Sequence, residues 1–494
     1  MFPDLSFDVP PPPGAGRLPE TPAEWIAHIR EQDMPAFGAT VAAVGSVTRD
    51  DKSSAGRLAQ VILRDASLTT KVLKLANSAF YNSNQQAIST ISRAIVVLGF
   101  DLVADIAIGV SLVDAMLSGG QRERVEAEMA RCFHAAVQAR SLAQLRHDLR
   151  AEEIFIATLL ARVGELAFWC FGGEAAASLD QALKVPGRSP EEAQMASLGF
   201  RLHQLSVGLA REWRLGGLLT SVLEARGKPG PAEQSVQLGL HLAAAVENGW
   251  ESRQAATAVA AIAAFTGEPA EVVRPRLVAQ AEQAAQVAMQ FGATAAARQI
   301  PQATPAPAVA DELPARDEIS QGPNPLLQLN ILRELSGLIG AGGSLNEVLN
   351  LVLEGIFRGI GLERVLFALL TPNRQQVVGK VGLGAGGDAL AQRFIFTLEG
   401  GADDAMNQVA VRGQTLLLEN SRTPATVKQS RLRAVVGEGP ACLAPIQAQG
   451  RVVGLFYADR SGSGQAIDGE AFTAFQHFVQ QVSFAFMAAA NRKA

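Results

Sequence analysis

Asp65-Ala66-Ser67-Leu68, LKLANSAFY (Leu73–Tyr81) and ISTISRAIVVLGF (Ile88–Phe100) follow one another closely, and their reading decides the fold of the first half of the chain. Leu68, Val72 and Leu75 recur at helical spacing behind Asp65. Asn77-Ser78 stops that helix, because both side chains compete for backbone groups. Ile91, Ala94, Ile95 and Leu98 then repeat the helical period. Two helices joined by a polar turn are expected here.

The same period extends outward. Thr21-Pro22-Ala23-Glu24 is a capping box with proline at the first helical position. Segments 131–146, 152–169, 191–213 and 233–247 are helical in pattern, and few alternating β-branched runs intervene. An all-α domain with short connections is expected over 20–295. Its alanine-dominated part, 232–295, either closes the domain or adds a helical layer. Residues 1–19, with Pro10–Pro13, read as a disordered proline-rich tail. Residues 296–325, containing QATPAPAVADELPARDEISQGPNP, read as a Pro/Ala-rich linker.

Beyond the linker, over 326–490, the pattern changes. Helices are expected at Leu326–Ile339 and Leu345–Gly359. Strand-like runs follow at Val365–Leu370, Gln376–Val381, Phe394–Leu398, Thr415–Leu418, Cys442–Ala448 and Arg451–Tyr457. Gln449-Gly450 forms a tight hairpin turn, with Gly450 supplying the positive φ. A closing amphipathic helix covers Gly469–Ala489. The expectation is an α+β module, an antiparallel sheet flanked by helices, in a multidomain chain.

Composition bounds the function. A length of 494 residues suggests two to four domains. Forty-three Lys and Arg against 48 Asp and Glu argue against nucleic acid as a partner. Cys132, Cys170 and Cys442 form no CxxC pair, so neither a disulfide framework nor a structural zinc site is indicated. The amino terminus lacks the basic and apolar regions of a secretory signal. No uninterrupted apolar run of about 18 residues occurs, and the nearest to one, Ala255–Phe265, is alanine-rich and too short to span a bilayer. A cytoplasmic protein is expected.

The quoted stretch resembles the HDOD family, whose pattern is an Asp-x-x-Leu helix start, an Asn-Ser-Ala turn and an Ile-rich helix ending in Leu-Gly. The resemblance covers about 30–250. It implies kinship with metal-dependent HD phosphohydrolases, which need several histidines and an adjacent His-Asp pair to hold metal. His134, in RCFHAAVQA, aligns with the first helix histidine, and His203 with a later one. Within LLARVGEL (Leu159–Leu166), Ala161 and Arg162 stand where His and Asp belong, and Ala225 and Arg226 stand where a His-His pair would follow. The methyl of Ala161 coordinates nothing, and Arg162 places a positive charge where a cation should sit. Hydrolase chemistry, bound metal and any other cofactor are therefore not expected. His134 and His203 are vestigial candidates only, and His28, His147, His241 and His477 have less support. Asn77 and Ser78 are candidates for partner contact as well as turn formers.

The second domain resembles the GAF family over about 328–490, chiefly through CLAPIQAQGRVVGLFYADR. The resemblance implies a small-molecule cavity, whose candidate lining is Phe367, Phe394, Phe396, Leu443 and Tyr457, or a dimer module. Cys442 reads as a small buried strand residue. GLGAGG (Gly382–Gly387) lacks GxGxxG spacing and reads as a mobile loop, and GAGGS (Gly340–Ser344) as a helix C-cap followed by the next N-terminus. The apolar residues of Leu326–Ile339 and of the helix near Phe475–Phe486 suggest a homodimer.

These features point to a bacterial non-catalytic signal-transduction protein that acts on protein partners. Its HDOD output or scaffold module would be regulated by, or dimerised through, a GAF sensory domain. The linker would couple them through dimer geometry or effective concentration. The alternatives are a metal-dependent phosphohydrolase or phosphodiesterase with a divergent site, and a receptor for a nucleotide-like small molecule in the GAF pocket.

Overall fold

The structure is a computed structural model and describes residues 19–30, 34–47, 52–78, 80–82, 88–117, 122–224, 227–301, 322–398, 404–419 and 428–491. The proline-rich tail, most of the linker, and Ala225 and Arg226 lie outside these residues. The chain forms two compact units that do not follow its order. One gathers 1–41, 113–288 and 293–303, and the other 42–112, 289–292 and 304–494.

The first unit is helical and built around Arg122–Leu145, which is buried almost continuously from Glu128 to Ala143. Alanines at 130, 135, 136, 139 and 143 keep this helix thin enough for neighbours to close on it. Gly239 in Pro231–Ala245 marks the closest approach, since a Cβ there would lie 2.5 Å from the Ala135 carbonyl oxygen. The alanine-rich region joins this core. Leu142 packs with Leu242, Ile262, Val273 and Leu277 from three later helices. At the opposite end, Thr21 and Glu24 form the capping box of Pro22–His28 and set Trp25 edge-on to Phe168 at 5.4 Å.

Two periodic segments are each broken in two. Segment 191–213 divides into Pro190–Leu198 and His203–Glu212, with Gly199 at φ +76° closing the first helix. Segment 152–169 divides at Ala161-Arg162. Among the described residues Ala151–Phe171 is long and apolar enough to cross a membrane, and Arg253–Thr266, which contains Ala255–Phe265, passes only together with Ala270–Gln290 across a 108° bend. Of the most apolar window of Ala151–Phe171, 89% is buried inside the protein, which is the signature of a core helix pair.

The second unit contains a six-stranded antiparallel sheet in the order β3-β2-β1-β6-β5-β4. The strands are β1 (Arg364–Leu370), β2 (Gln376–Gly384), β3 (Ile395–Thr397), β4 (Leu416–Leu418), β5 (Ala441–Ala448) and β6 (Arg451–Asp459). Both Gln449 and Gly450 adopt positive φ, as a two-residue hairpin matched to strand twist requires. The glycine-rich text is no loop. It carries β2 to Gly384 and starts a helix at Gly387, and a Cβ on Gly382 would lie 2.1 Å from the Gly387 carbonyl oxygen. Pro325–Gly340 and Leu345–Glu354 lead into the sheet, the latter capped by Ser344 and Glu347. Gly469–Asn491 closes the domain.

The same unit includes Lys52–Leu63 and the two helices of the quoted stretch, Ala66–Ala76 and Ile91–Leu98. They meet Leu345–Glu354 through paired polar groups. Gln60 donates to Asn350 at 2.9 Å, and Gly56 leaves room for that amide. The fully buried Glu354 accepts from the Ile91 N–H at 3.2 Å and from Arg358, which also donates to the Ser89 carbonyl at 3.2 Å.

Candidate functional site

The break in the buried helix pair builds the site. Ala151–Leu160 ends at buried Ala161, and Arg162 leaves helical geometry at φ −115° and ψ +28° before Val163–Phe171 begins. Gly164 lets the new helix lie flush on His203–Glu212, since a Cβ there would fall 2.2 Å from the Ser206 nitrogen. The Gly164 N–H donates to the Ser206 hydroxyl oxygen at 2.9 Å, and that hydroxyl donates to Glu165 at 2.5 Å. The break keeps the guanidinium of Arg162 out of the apolar core and places it at the wall of a cavity of about 580 Å³.

The cavity wall is charged. Arg162 donates through Nε to one oxygen of buried Glu128, and Arg131 through Nη1 to the other. Arg131 Nε reaches Glu247. Burial opposes the charge on Arg162, but Glu128 and Glu165 more than offset it and hold the guanidinium protonated. Arg124 donates to Asp180 at 2.6 Å and lies 5.5 Å over the Trp169 ring. Glu191 and His203, from the two helices beyond, and Arg201, from the turn between them, complete the wall.

The two candidate histidines are not brought together. His203 lines this cavity, and its Nε2 is 3.0 Å from the Leu223 carbonyl oxygen. His134 is fully buried and lines a separate cavity of about 170 Å³. Its Nε2 is 3.0 Å from the Gln138 amide nitrogen, which also donates to the Leu277 carbonyl at 2.7 Å. Burial pushes its pKa down to about 4, so it is neutral at pH 7. Among the described residues no three His, Cys, Asp or Glu side chains form a group able to hold a metal. A divalent ion does not fit here: the oxygens of Glu128 are taken by guanidinium groups, and Arg162 repels a second cation.

Asn77 acts as a clamp. Its amide donates to the Leu73 carbonyl at 2.9 Å and the Ile88 carbonyl at 2.7 Å, while its oxygen accepts from the Ile88 N–H at 2.9 Å. The hydroxyl oxygen of Ser78 is buried and has no hydrogen-bond partner among the described residues.

In the sheet domain, Phe394, Phe396, Leu443 and Tyr457 share one apolar cluster with Leu366 and Ala368. The Phe394 ring lies 4.9 Å from Phe396 and 5.7 Å from Tyr457. Phe367 departs from the expected lining. Side chains alternate along β1, so Phe367 faces the other side of the sheet and packs 5.4 Å from Phe456. Tyr457 donates its hydroxyl to the fully buried Asp459, which Arg364 also binds through Nε and Nη2. Cys442 is buried beside β6, and burial pushes its thiol pKa up.

The family model for the HDOD domain matches residues 34–229, and that for the GAF domain matches residues 344–486. The chain is an HDOD domain followed by a GAF domain. No curated protein matches this HDOD–GAF chain. Among solved structures, it is similar to an HDOD domain protein of unknown function from Geobacter sulfurreducens. The identity is 19% and the TM-score 0.43, over 55% of this chain and 95% of that one. It is also similar to the GAF domain of an Acinetobacter phosphoenolpyruvate-protein phosphotransferase, at 17% identity and TM-score 0.27, over 34% and 96%. The corresponding GAF domain from Coxiella burnetii gives 15% identity and TM-score 0.28, over 34% and 98%.

Sequence reasoning found Arg162 and His203 but passed over the rest of the HDOD cavity. A signal existed. Arg124, Glu128 and Arg131 stand at i, i+4 and i+7 on one helix face, and Glu165 interrupts the apolar run VGELAFWCF.

Proposed function

We propose that this HDOD–GAF protein is a non-catalytic cytoplasmic signalling protein whose HDOD domain serves as a scaffold for protein partners under control of the GAF domain. One observation carries the reading. The Arg162 guanidinium, paired with buried Glu128, sits at the residue where the HD enzymes place a metal-binding aspartate. Such a site stabilises its own carboxylate with a fixed cation and has no use for a mobile one.

Control by the GAF domain has a physical route. The contacts of Gln60, Ser89 and Ile91 with Asn350, Glu354 and Arg358 join the first HDOD helices to the helix leading into the sheet. A shift of Leu345–Glu354 would move these helices directly, without force passing along the linker. A homodimer remains part of the reading: Leu326, Leu329, Phe484 and Met487 stay exposed on helices that bury Ile331 and Leu335, and Phe475 and Phe478.

The test is hydrolysis by the full chain supplied with Mn²⁺, Mg²⁺ or Fe²⁺, using bis(4-nitrophenyl) phosphate and cyclic dinucleotides. A His134→Ala, His203→Ala variant is assayed alongside. Turnover equal to that of the variant is expected. Turnover that the variant loses would overturn the reading and establish a phosphodiesterase with a divergent site.

A further inference from the structure

We infer that the HDOD cavity is a binding site for a phosphate monoester with a hydroxylated body, held by the guanidinium groups of Arg162 and Arg201. The inference rests on the non-catalytic reading, because it gives the cavity a ligand in place of a metal.

The cavity wall holds more hydrogen-bond donors than it uses. A guanidinium has five N–H donors in a rigid fork. Arg162 spends its Nε on Glu128, and among the described residues Nη1 and Nη2 have no acceptor. Arg131 spends Nε and Nη1, leaving Nη2 without one. Arg201 is exposed and makes no side-chain hydrogen bond or ion pair among the described residues. The acceptor side is partly saturated, since both oxygens of Glu128 are occupied. Wall donors therefore outnumber free wall acceptors, and the pairing of Arg162 with Glu128 fixes one fork in place before any ligand arrives. A tetrahedral oxyanion offers the acceptors such forks match bidentately.

The remaining acids narrow the ligand. Four arginines (124, 131, 162, 201) face four glutamates (128, 165, 191, 247) across the cavity. The net field is small, so recognition is directional rather than a general attraction to anions. One oxygen of Glu165 takes the Ser206 hydroxyl, and Glu191 has no partner among the described residues. These carboxylates accept hydrogen bonds from hydroxyl groups and repel a polyanion. About 580 Å³ exceeds the size of a lone phosphate and falls within the usual range for small-molecule sites. A sugar phosphate or a nucleoside monophosphate fits both the volume and the mixed wall.

The experiment is calorimetric titration of the full chain, with metal removed by EDTA. The probes are inorganic phosphate, glucose 6-phosphate and adenosine monophosphate. Arg162→Lys keeps a charge for Glu128 but removes the fork. Arg201→Gln alters an exposed residue without partners, and Arg253→Gln, on a helix away from the cavity, is the control. Saturable binding of one of the two esters, tighter than inorganic phosphate, is expected. Arg162→Lys and Arg201→Gln should each weaken it by about tenfold, the scale of one charged hydrogen bond, and Arg253→Gln should leave it unchanged. Absence of saturable binding, binding indifferent to both variants, or binding that requires added metal would overturn the inference. Hydrolysis of a bound ester would instead overturn the non-catalytic reading, so the two failures are distinct.

Discussion

The two domains treat their interiors in opposite ways. The HDOD domain keeps an open cavity beside the break at Ala161-Arg162 and fills its wall with arginine and glutamate. The GAF domain keeps the sheet face where a ligand would lie apolar and packs it with Phe394, Phe396, Leu443 and Tyr457. One site is lined by paired charges, while the other face is occupied by the protein's own side chains. In the proposed reading, polar ligands are recognised at the HDOD cavity and the GAF sheet acts mechanically, through a leading helix hydrogen-bonded to Lys52–Leu63 and Ile91–Leu98.

Four expected outcomes sharpen or break this contrast. The largest concerns the filled face. Phe394→Ala should cost about 3–5 kcal/mol in urea unfolding and create a cavity that takes up small apolar molecules. A loss near zero would mean that the face is already loose. Next is the charged wall. Arg162→Ala leaves Glu128 with one cation and should destabilise the HDOD domain by about 3 kcal/mol, most of it recovered in an Arg162→Ala, Glu128→Gln double variant. Additive losses would mean that the pair does not act as a unit.

His134 provides a pH test of the same domain. Its folded pKa, about 4, lies below the ordinary 6.5, so the unfolded chain takes up the proton first as the pH falls. The stability it contributes is full above pH 6.5 and is lost between pH 6.5 and 4, by about 2–3 kcal/mol. His134→Gln should flatten that part of the profile when urea midpoints are compared at pH 7 and 4.5. The smallest effect is at the junction. Gln60→Ala should cost about 1 kcal/mol, speed amide exchange in Ile91–Leu98, and add less when Asn350→Ala is already present.

Much of the fold was legible in the sequence because local periodicity carries it. The six strand-like runs each fall on a strand within a few residues, and Asp65, Asn77 and Thr21 act at the helix ends their chemistry suggested. What needed partners was not legible. The face taken by Phe367 depends on its pairing with Phe456, and a single strand does not reveal which parity faces the core. Gly382 and Gly387 read as a loop because a glycine that permits close backbone contact looks the same in sequence as one that permits motion. The HDOD cavity draws Glu128, Arg162, Arg201 and Glu247 from separate places along the chain, and only the break at Ala161-Arg162 hinted at it. The grouping of residues 42–112 with the GAF domain rests on contacts more than 250 residues apart, between Ile91 and Glu354 and between Ser89 and Arg358.

The account turns on whether a guanidinium has replaced the metal. The most direct measurement is the metal content of the full chain after equilibration with Mn²⁺ or Fe²⁺ and removal of free ion, compared with the His134→Ala, His203→Ala variant. The account predicts the same substoichiometric content in both proteins. A stoichiometric metal in the wild type that the variant loses would contradict it, because Arg162 and Glu128 would then have to part to admit the ion.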